Sequence, residues 1–358
     1  MTDPAIPIPS RRSTLAVNLI VAGISLALFL TIAEIAVRLV GPDLYYKNQF
    51  FPKNRDIDFP QFYQKDSELL WRFRPDQTID SRQFSTLTYR INALGIRGDE
   101  VSEQKTGKRI IALGNSCTFG WGVGGQHTWA VRLQQQLNTD LAPETFEVLN
   151  CGVPGYSSFQ GRKYLARLLP LEPDIVLIIF GWNDHFPAGH GIRDNQQQMP
   201  PGVVLWIQNL VSRLQLYQVL RKVVLSVSEE PQNIRLGDIS LMPRVTVLEM
   251  GENLTAMIDT IRHAGAEPVL VVPPIASQAK YSLPRRSPFH EQHAAYQAEI
   301  RKVALLTGTL LINLQPVFDE HDDLFDSAMD DPIHFNSRGH WIAASMIADS
   351  LKTWLSSK

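Results

Sequence analysis

The chain has 358 residues, 44% of them hydrophobic and 20% charged, an ordinary globular composition with material for one large domain or two small ones. Its formal net charge of −2 leaves no overall basic footprint, so charge gives nucleic-acid binding no support.

No charged residue occurs from Ser13 to Ala33, a stretch long enough to cross a bilayer core as a helix. The sequence therefore predicts a transmembrane signal-anchor helix over residues 13–40. Arg11 and Arg12 precede it and favour a cytoplasmic N-terminus, residues 1–12, with everything after Val40 on the periplasmic or extracellular side. Arg38 at the far end of the span and Lys47 beyond it blunt that asymmetry. A cleaved signal peptide is disfavoured. Its apolar region is normally roughly 7–15 residues and ends in an Ala-x-Ala-like site, and no such site precedes Glu34. Glu34 and Arg38, four apart on one helix, either pair at the interface or form a solvated helix end.

Residues 41–107 are polar and aromatic-rich, with several Pro and Asp, and read as a linker followed by a lead-in segment. From 108 to 358, apolar runs alternate with helical spacing. Arg109–Leu113, Thr145–Asn150, Ile175–Phe180, Pro268–Val272 and Leu310–Asn313 read as buried strands. Thr128–Leu137, Gln160–Leu169, Val245–Ala264, Pro288–Leu306 and Ser337–Leu355 read as helices. This alternation predicts an α/β fold with a parallel sheet covered on both faces. An insertion over 186–242 carries the apolar run Val203–Ile207 and the mixed run Leu214–Val227. Three readings fit it. The favoured one is a helical hairpin completing the core, because apolar helices are usually buried. The others are a lid over an acyl or alcohol pocket, and a helix resting on a membrane surface with Arg213, Arg221 and Lys222 flanking its apolar positions.

Three short motifs carry the chemistry. Ser116 follows the strand 109–113 through Gly114 and Asn115, at the carboxyl end where open α/β sheets bind ligands. A serine hydroxyl becomes a nucleophile when an imidazole takes its proton and a carboxylate fixes that imidazole's tautomer. Asp331 and His334, three apart, can supply both on one turn of chain. An oxyanion formed after attack needs preorganised donors. Asn183, after the strand 175–180, emerges on the same edge as Ser116. The glycine-rich turn Gly152-Val153-Pro154-Gly155 can bring a bare N–H close to a substrate. Thr118 stands where a Gly-x-Ser-x-Gly elbow needs glycine, which disfavours the α/β-hydrolase fold.

With these residues in place, the chain from about Arg109 onward resembles the SGNH (GDSL-like) hydrolase superfamily of esterases, lipases, thioesterases and carbohydrate acetylesterases. The resemblance implies a three-layer α/β/α, flavodoxin-like fold with a central parallel five-stranded sheet. It also implies Ser116 as nucleophile, Asp331 and His334 as the rest of the triad, and Ser116, Gly155 and Asn183 as the oxyanion hole. Gly155 is preferred to Gly152 because the family glycine usually lies about five residues past an Asn such as Asn150 and before a small hydroxyl residue such as Ser157. One departure is visible: Asn115 replaces the Asp of the family's first block, a residue that mainly holds the turn. Tyr89–Gly98 resembles a segment that precedes the first block in membrane-anchored members, and reads as an added edge element.

Cys117 follows Ser116 and Cys151 ends the second strand, which neighbours the first in the family's sheet. They are expected as two buried thiols, with a disulfide as the alternative. His290 and His293 lie three apart on a helix, and His185 and His190 lie near the site. With no acidic or cysteine partner at ligand spacing they read as surface histidines, and no metal or cofactor is expected. His340 reads as a helix residue and Asp184 as a hydrogen-bonding support. The leading function is hydrolysis of a carboxylic ester on a small molecule, lipid or glycan through an acyl-enzyme. The alternatives are an O-acyltransferase acting on an exported polysaccharide and a catalytically silent anchored binding protein.

Overall fold

Uninterrupted runs of Val, Ile and Leu suit strands that are covered on both faces, and they form the centre of the molecule. The computed structural model describes residues 11–40, 62–81, 87–188, 191–228, 242–276, 288–321, 323–327 and 331–358. Much of the expected linker, the first ten residues, His190 and residues 229–241 of the insertion therefore lie outside the described residues. The strands are β1 (Tyr63–Asp66), β2 (Leu70–Phe73), β3 (Gln77–Ser81), β4 (Leu87–Ile91), β5 (Lys108–Gly114), β6 (Phe146–Gly152), β7 (Ile175–Ile179), β8 (Glu267–Val272), β9 (Leu310–Asn313), β10 (Phe325–Ser327) and β11 (Asp331–Phe335). The helices are α1 (Arg11–Val40), α2 (Ser116–Phe119), α3 (Trp129–Asp140), α4 (Ser158–Leu168), α5 (Gly202–Val211), α6 (Gln215–Ser228), α7 (Val247–His263), α8 (Pro288–Thr307), α9 (Gln315–Asp319) and α10 (Ser337–Ser356). The chain divides into two compact units, residues 1–53 with 206–233 and residues 54–205 with 234–358.

In the larger unit the parallel sheet runs in the order β6-β5-β7-β8-β9, the doubly wound order in which the first strand lies between the second and third. Gly114 is in register with Gly152 on one side and with Ile179 on the other, so β5, β6 and β7 end at one level. On one face Ile110, Ala112, Leu177 and Val271 cluster with Trp129, Leu133 and Leu137 of α3 and with Ala343, Ala344 and Ile347 of α10. The other face is covered by α4, α7 and α8, whose Leu165, Met257, Ile258 and Ile300 are buried. The expected three-layer α/β/α architecture is present, and the observed strands and helices lie close to their expected ranges.

Short antiparallel elements decorate the sheet. β1 pairs with β2, β3 with β4, and β10 with β11. Arg97 bridges Ile91 on one side and Asn150 of the edge strand β6 on the other, so the Tyr89–Gly98 segment is an added edge element.

In the smaller unit α1 is thirty residues long, and its Leu15–Val40 stretch is long and apolar enough to cross a membrane. Glu34 pairs with Arg38, accepting from Nε at 2.8 Å. Its carboxylate also accepts from the backbone N–H groups of Gln215 at 3.0 Å and Leu216 at 2.8 Å, the opening residues of α6. The first N–H groups of a helix have no partner within the helix, and a carboxylate there satisfies them and complements the helix dipole. The core-completing reading of the insertion is corrected for α5. Only Leu205 of that helix is buried, and Trp206, Ile207 and Leu210 face outward.

Candidate active site

Ser116 opens α2 after β5, separated from the tight Gly114 by Asn115 alone. A Cβ on Gly114 would lie 2.8 Å from the carbonyl oxygen of Ile179, so the close strand-to-helix turn admits only glycine. Asn115 is the N-cap of α2, and its side-chain oxygen accepts from the Cys117 N–H at 3.0 Å. An amide oxygen serves that role as a carboxylate does. The replacement of the family's Asp therefore leaves the turn held.

Asp331 and His334 lie on β11 rather than on a compact turn. The Asp331 side chain nevertheless reaches forward to accept from the backbone N–H of His334 at 3.1 Å and from that of Ile333 at 3.4 Å. His334 Nδ1 lies 2.7 Å from Asp331 Oδ2, and His334 Nε2 lies 2.8 Å from Ser116 Oγ. Burial pushes the Asp331 carboxyl up, but the hydrogen bond and charge of the His334 ring and the two backbone donors outweigh it and hold the group below the ordinary carboxylate range. An ionised carboxylate only accepts, so Nδ1 carries the imidazole proton and Nε2 is left to accept from the serine hydroxyl.

Gly155 and Gly152 separate cleanly. Gly155 has φ +83°, in the left-handed region, within a turn closed by Tyr156 N–H to the Val153 carbonyl at 3.1 Å. Gly152 instead lets β6 approach α2, where a Cβ would sit 2.1 Å from the Phe119 nitrogen. Asn183, in the loop after β7, is buried and donates its amide to the Tyr156 carbonyl at 2.9 Å. Asp184 beside it is fully buried and accepts from the Ser158 N–H at 3.0 Å, from the Ser158 hydroxyl, and from the Gly181 N–H at 3.3 Å. It joins the loop after β7 to the start of α4. Burial raises its pKa to about 6.

Three further residues shape the site without having announced themselves in the sequence. Arg244 donates to the Gly155 carbonyl at 2.7 Å, to Gln160 Oε1 at 2.9 Å and to both oxygens of Asp194. Asp194 is buried and also accepts from the Ser157 hydroxyl at 2.6 Å. Arg97, buried between the rings of Tyr89 and Phe119, donates to the carbonyls of Phe119, Gly120 and Val123 at the far end of α2. Burial lowers its pKa to about 10, still charged at neutral pH. Of these, Arg97 sat in the segment Tyr89–Gly98 and Asp194 in the insertion, but neither residue itself had been singled out by the sequence.

The histidine reading needs correction. His185 and His293 are buried, not at the surface, while His340 lies on α10 as expected and is buried there. His293 stacks on Trp182 with ring centres 3.7 Å apart and hydrogen-bonds the Pro273 carbonyl at 3.1 Å. The His340 Nδ1 accepts from the Trp129 N–H at 3.2 Å, and burial drives its pKa down to about 3, leaving a neutral ring. The His290 side chain lies outside the described residues. Among the described residues no group of His, Cys, Asp or Glu has metal-binding geometry. Cys117 and Cys151 are both free and buried, so the disulfide alternative is not realised. Burial pushes both thiols up, with the charge of Asp331 adding to the effect at Cys117.

Ser116, His334 and Asp331 are thus linked in series by hydrogen bonds at the carboxyl edge of this sheet. The profile of the GDSL-like lipase/acylhydrolase family matches residues 112–342, and the chain belongs to that family. Among solved structures it is similar to a lipase/acylhydrolase from Enterococcus faecalis, with 19% identity over 69% of this chain and 96% of that one, at a TM-score of 0.45. It is similar also to an acetylxylan esterase from Geobacillus stearothermophilus, with 16% identity over 70% and 96% of the two chains and a TM-score of 0.45. A third is the psychrotrophic esterase EstA from Pseudoalteromonas sp., with 18% identity over 70% and 99% and a TM-score of 0.44. No curated protein matches the chain in sequence.

Proposed function

We propose that the protein is a membrane-anchored serine esterase that cleaves a carboxylic ester through an acyl-enzyme on Ser116. The Ser116 oxygen attacks the ester carbonyl while its proton passes to His334 Nε2, and the positive ring is steadied by the Asp331 carboxylate. As the tetrahedral adduct collapses, His334 returns that proton to the departing alcohol. Water then attacks the acyl group with His334 again as base, and the acid leaves with Ser116 restored. The negative oxygen of each adduct is received by the N–H groups of Ser116 and Gly155 and by the Asn183 side chain. A primary amide has two N–H donors, and the Tyr156 carbonyl takes one of those of Asn183, which orients the other.

The observation that carries this reading is the unbroken hydrogen-bond series from Ser116 through His334 to Asp331. The substrate is an ester on a small molecule, lipid or glycan. The apolar stretch of α1 anchors the chain in a membrane, with Arg11 and Arg12 on the cytoplasmic side and the hydrolase on the other. A fluorophosphonate probe should label the full chain at Ser116 and fail to label Ser116→Ala. Turnover of a short p-nitrophenyl ester should fall on the order of 10⁴-fold in Ser116→Ala or His334→Ala. Wild-type turnover no faster than that of Ser116→Ala would remove the esterase reading.

A further inference from the structure

The outward face of the insertion has the wrong chemistry for water. Trp206, Ile207 and Leu210 of α5 are 65%, 46% and 55% exposed, and Leu214 in the tight connection to α6 is 42% exposed. Leu220 and Val223 continue the pattern along α6 at 55% and 54%. Isolated apolar residues on a surface need no explanation, but this is a contiguous series along two helices, and such a series marks a surface that something else covers.

The covering agent is identified by where the hairpin is fastened. Glu34 of α1 caps the first two N–H groups of α6 while pairing with Arg38. From Leu15 to Glu34 the helix rises about 28 Å at 1.5 Å per residue, close to the roughly 30 Å thickness of a bilayer's hydrocarbon core. If α1 crosses the membrane, its first apolar turn at one interface sets Glu34 at the other. The beginning of α6 is then held at the headgroup level, and α5 meets it through a turn closed by Leu214 N–H to the Val211 carbonyl at 2.9 Å. Tryptophan favours that level, and the exposed Arg213 between the two helices matches anionic headgroups.

We infer that α5 and α6 form an interfacial hairpin whose Trp206, Ile207, Leu210 and Leu214 insert into the headgroup–acyl boundary of the bilayer that α1 crosses. The occupant of the apolar face is lipid, and the hairpin is a second, monotopic contact beside the span. The inference rests on the anchoring role proposed for α1.

The test uses the full chain in phosphatidylcholine vesicles containing phosphatidylglycerol. A nitrobenzoxadiazole label is placed by Leu210→Cys or, in a second variant, Leu214→Cys, while the buried native thiols stay unlabelled. Leu305→Cys, at a site 84% exposed in the other unit, reports a water-facing position, and Ile24→Cys reports the middle of α1. The expected result is quenching at 210 and 214 by lipids nitroxide-labelled at a shallow depth, with iodide access about fivefold lower than at 305. Deep nitroxides should quench the label at 24. Equal iodide quenching at 210, 214 and 305 overturns the inference. So does protection from iodide without nitroxide quenching, which would mean that a second copy or another protein covers the face. Failure at 24 alone would show that the anchor reading fails first, and the hairpin inference with it.

Discussion

Replacing Asp184 with Asn tests whether a buried carboxyl group ties fold stability to pH. The group is fully buried and its pKa rises to about 6 from the ordinary 3.8, because burial outweighs the hydrogen bonds from Ser158 and the charge of Arg244, with Asp194 adding to the rise. The folded chain thus keeps this proton to a higher pH than the unfolded chain does. The contribution to stability is complete below the unfolded value and is lost as pH rises through the folded one. At about 1.4 kcal/mol per pH unit, the gap between the two values corresponds to about 3 kcal/mol. The amide introduced by Asp184→Asn would keep an acceptor for Ser158 and titrate nowhere in this window. Urea unfolding of the detergent-solubilised full chain and of Asp184→Asn, followed by tryptophan fluorescence from about pH 4 to about pH 7, isolates the effect as a difference between the two proteins. The stability of the wild type relative to the variant should fall by about 2 kcal/mol across that range, the remainder of the gap lying below about pH 4 where the unfolded group takes up its proton. A flat difference would mean that Asp184 is ionised throughout in the folded state, and the burial argument would fail.

Asn115→Ala removes the cap of α2 and should cost about 1 kcal/mol in the same unfolding measurement, with a lower kcat on the p-nitrophenyl ester as Ser116 loosens. Gly155→Ala places a side chain at φ +83° and should cost about 1–2 kcal/mol of local strain while lowering kcat more than it changes KM. Gly152→Ala instead drives a Cβ into α2, so it should depress the unfolding midpoint; a Gly152 variant as stable as the wild type would refute the close-packing account. Iodoacetamide should label neither cysteine in the folded chain and both after denaturation without reductant, read as the mass of two adducts.

The central sheet was legible because a strand covered on both faces must be apolar at every position, which leaves an uninterrupted run in the sequence. The hairpins β1–β2 and β3–β4 were not, since four- and five-residue strands with partly exposed faces leave no such run. Ser116 and Asn183 stood out because each follows an uninterrupted apolar strand run, and Asp331 and His334 because of their spacing, three residues apart. Arg97 and Arg244 gave no such signal. Their acceptors are mainly backbone carbonyls, and a buried arginine is spelled the same as a solvated one. The surface reading failed at His293 for a related reason: the Pro273 carbonyl pairs with one nitrogen of its buried ring, a contact that ligand spacing cannot reveal. For α5 the apolar run was visible but its direction was not, because hydrophobicity alone does not say whether protein or something else receives it.

Arg97 has a practical bearing on where the hydrolase can be separated from the apolar helix α1. A soluble fragment starting at Lys108, the first residue of β5, would discard the guanidinium that holds the carbonyls of Phe119, Gly120 and Val123 and the Tyr89 ring on which it rests. Phe119 would keep the Asn150 amide at 3.2 Å and Gly120 the Val123 N–H at 3.3 Å, but the buried Val123 carbonyl would lose its Arg97 donor, and an unmet buried acceptor costs about 1–3 kcal/mol. The cut that keeps the support of α2 intact falls upstream of Tyr63, between the membrane-length helix and the first hairpin.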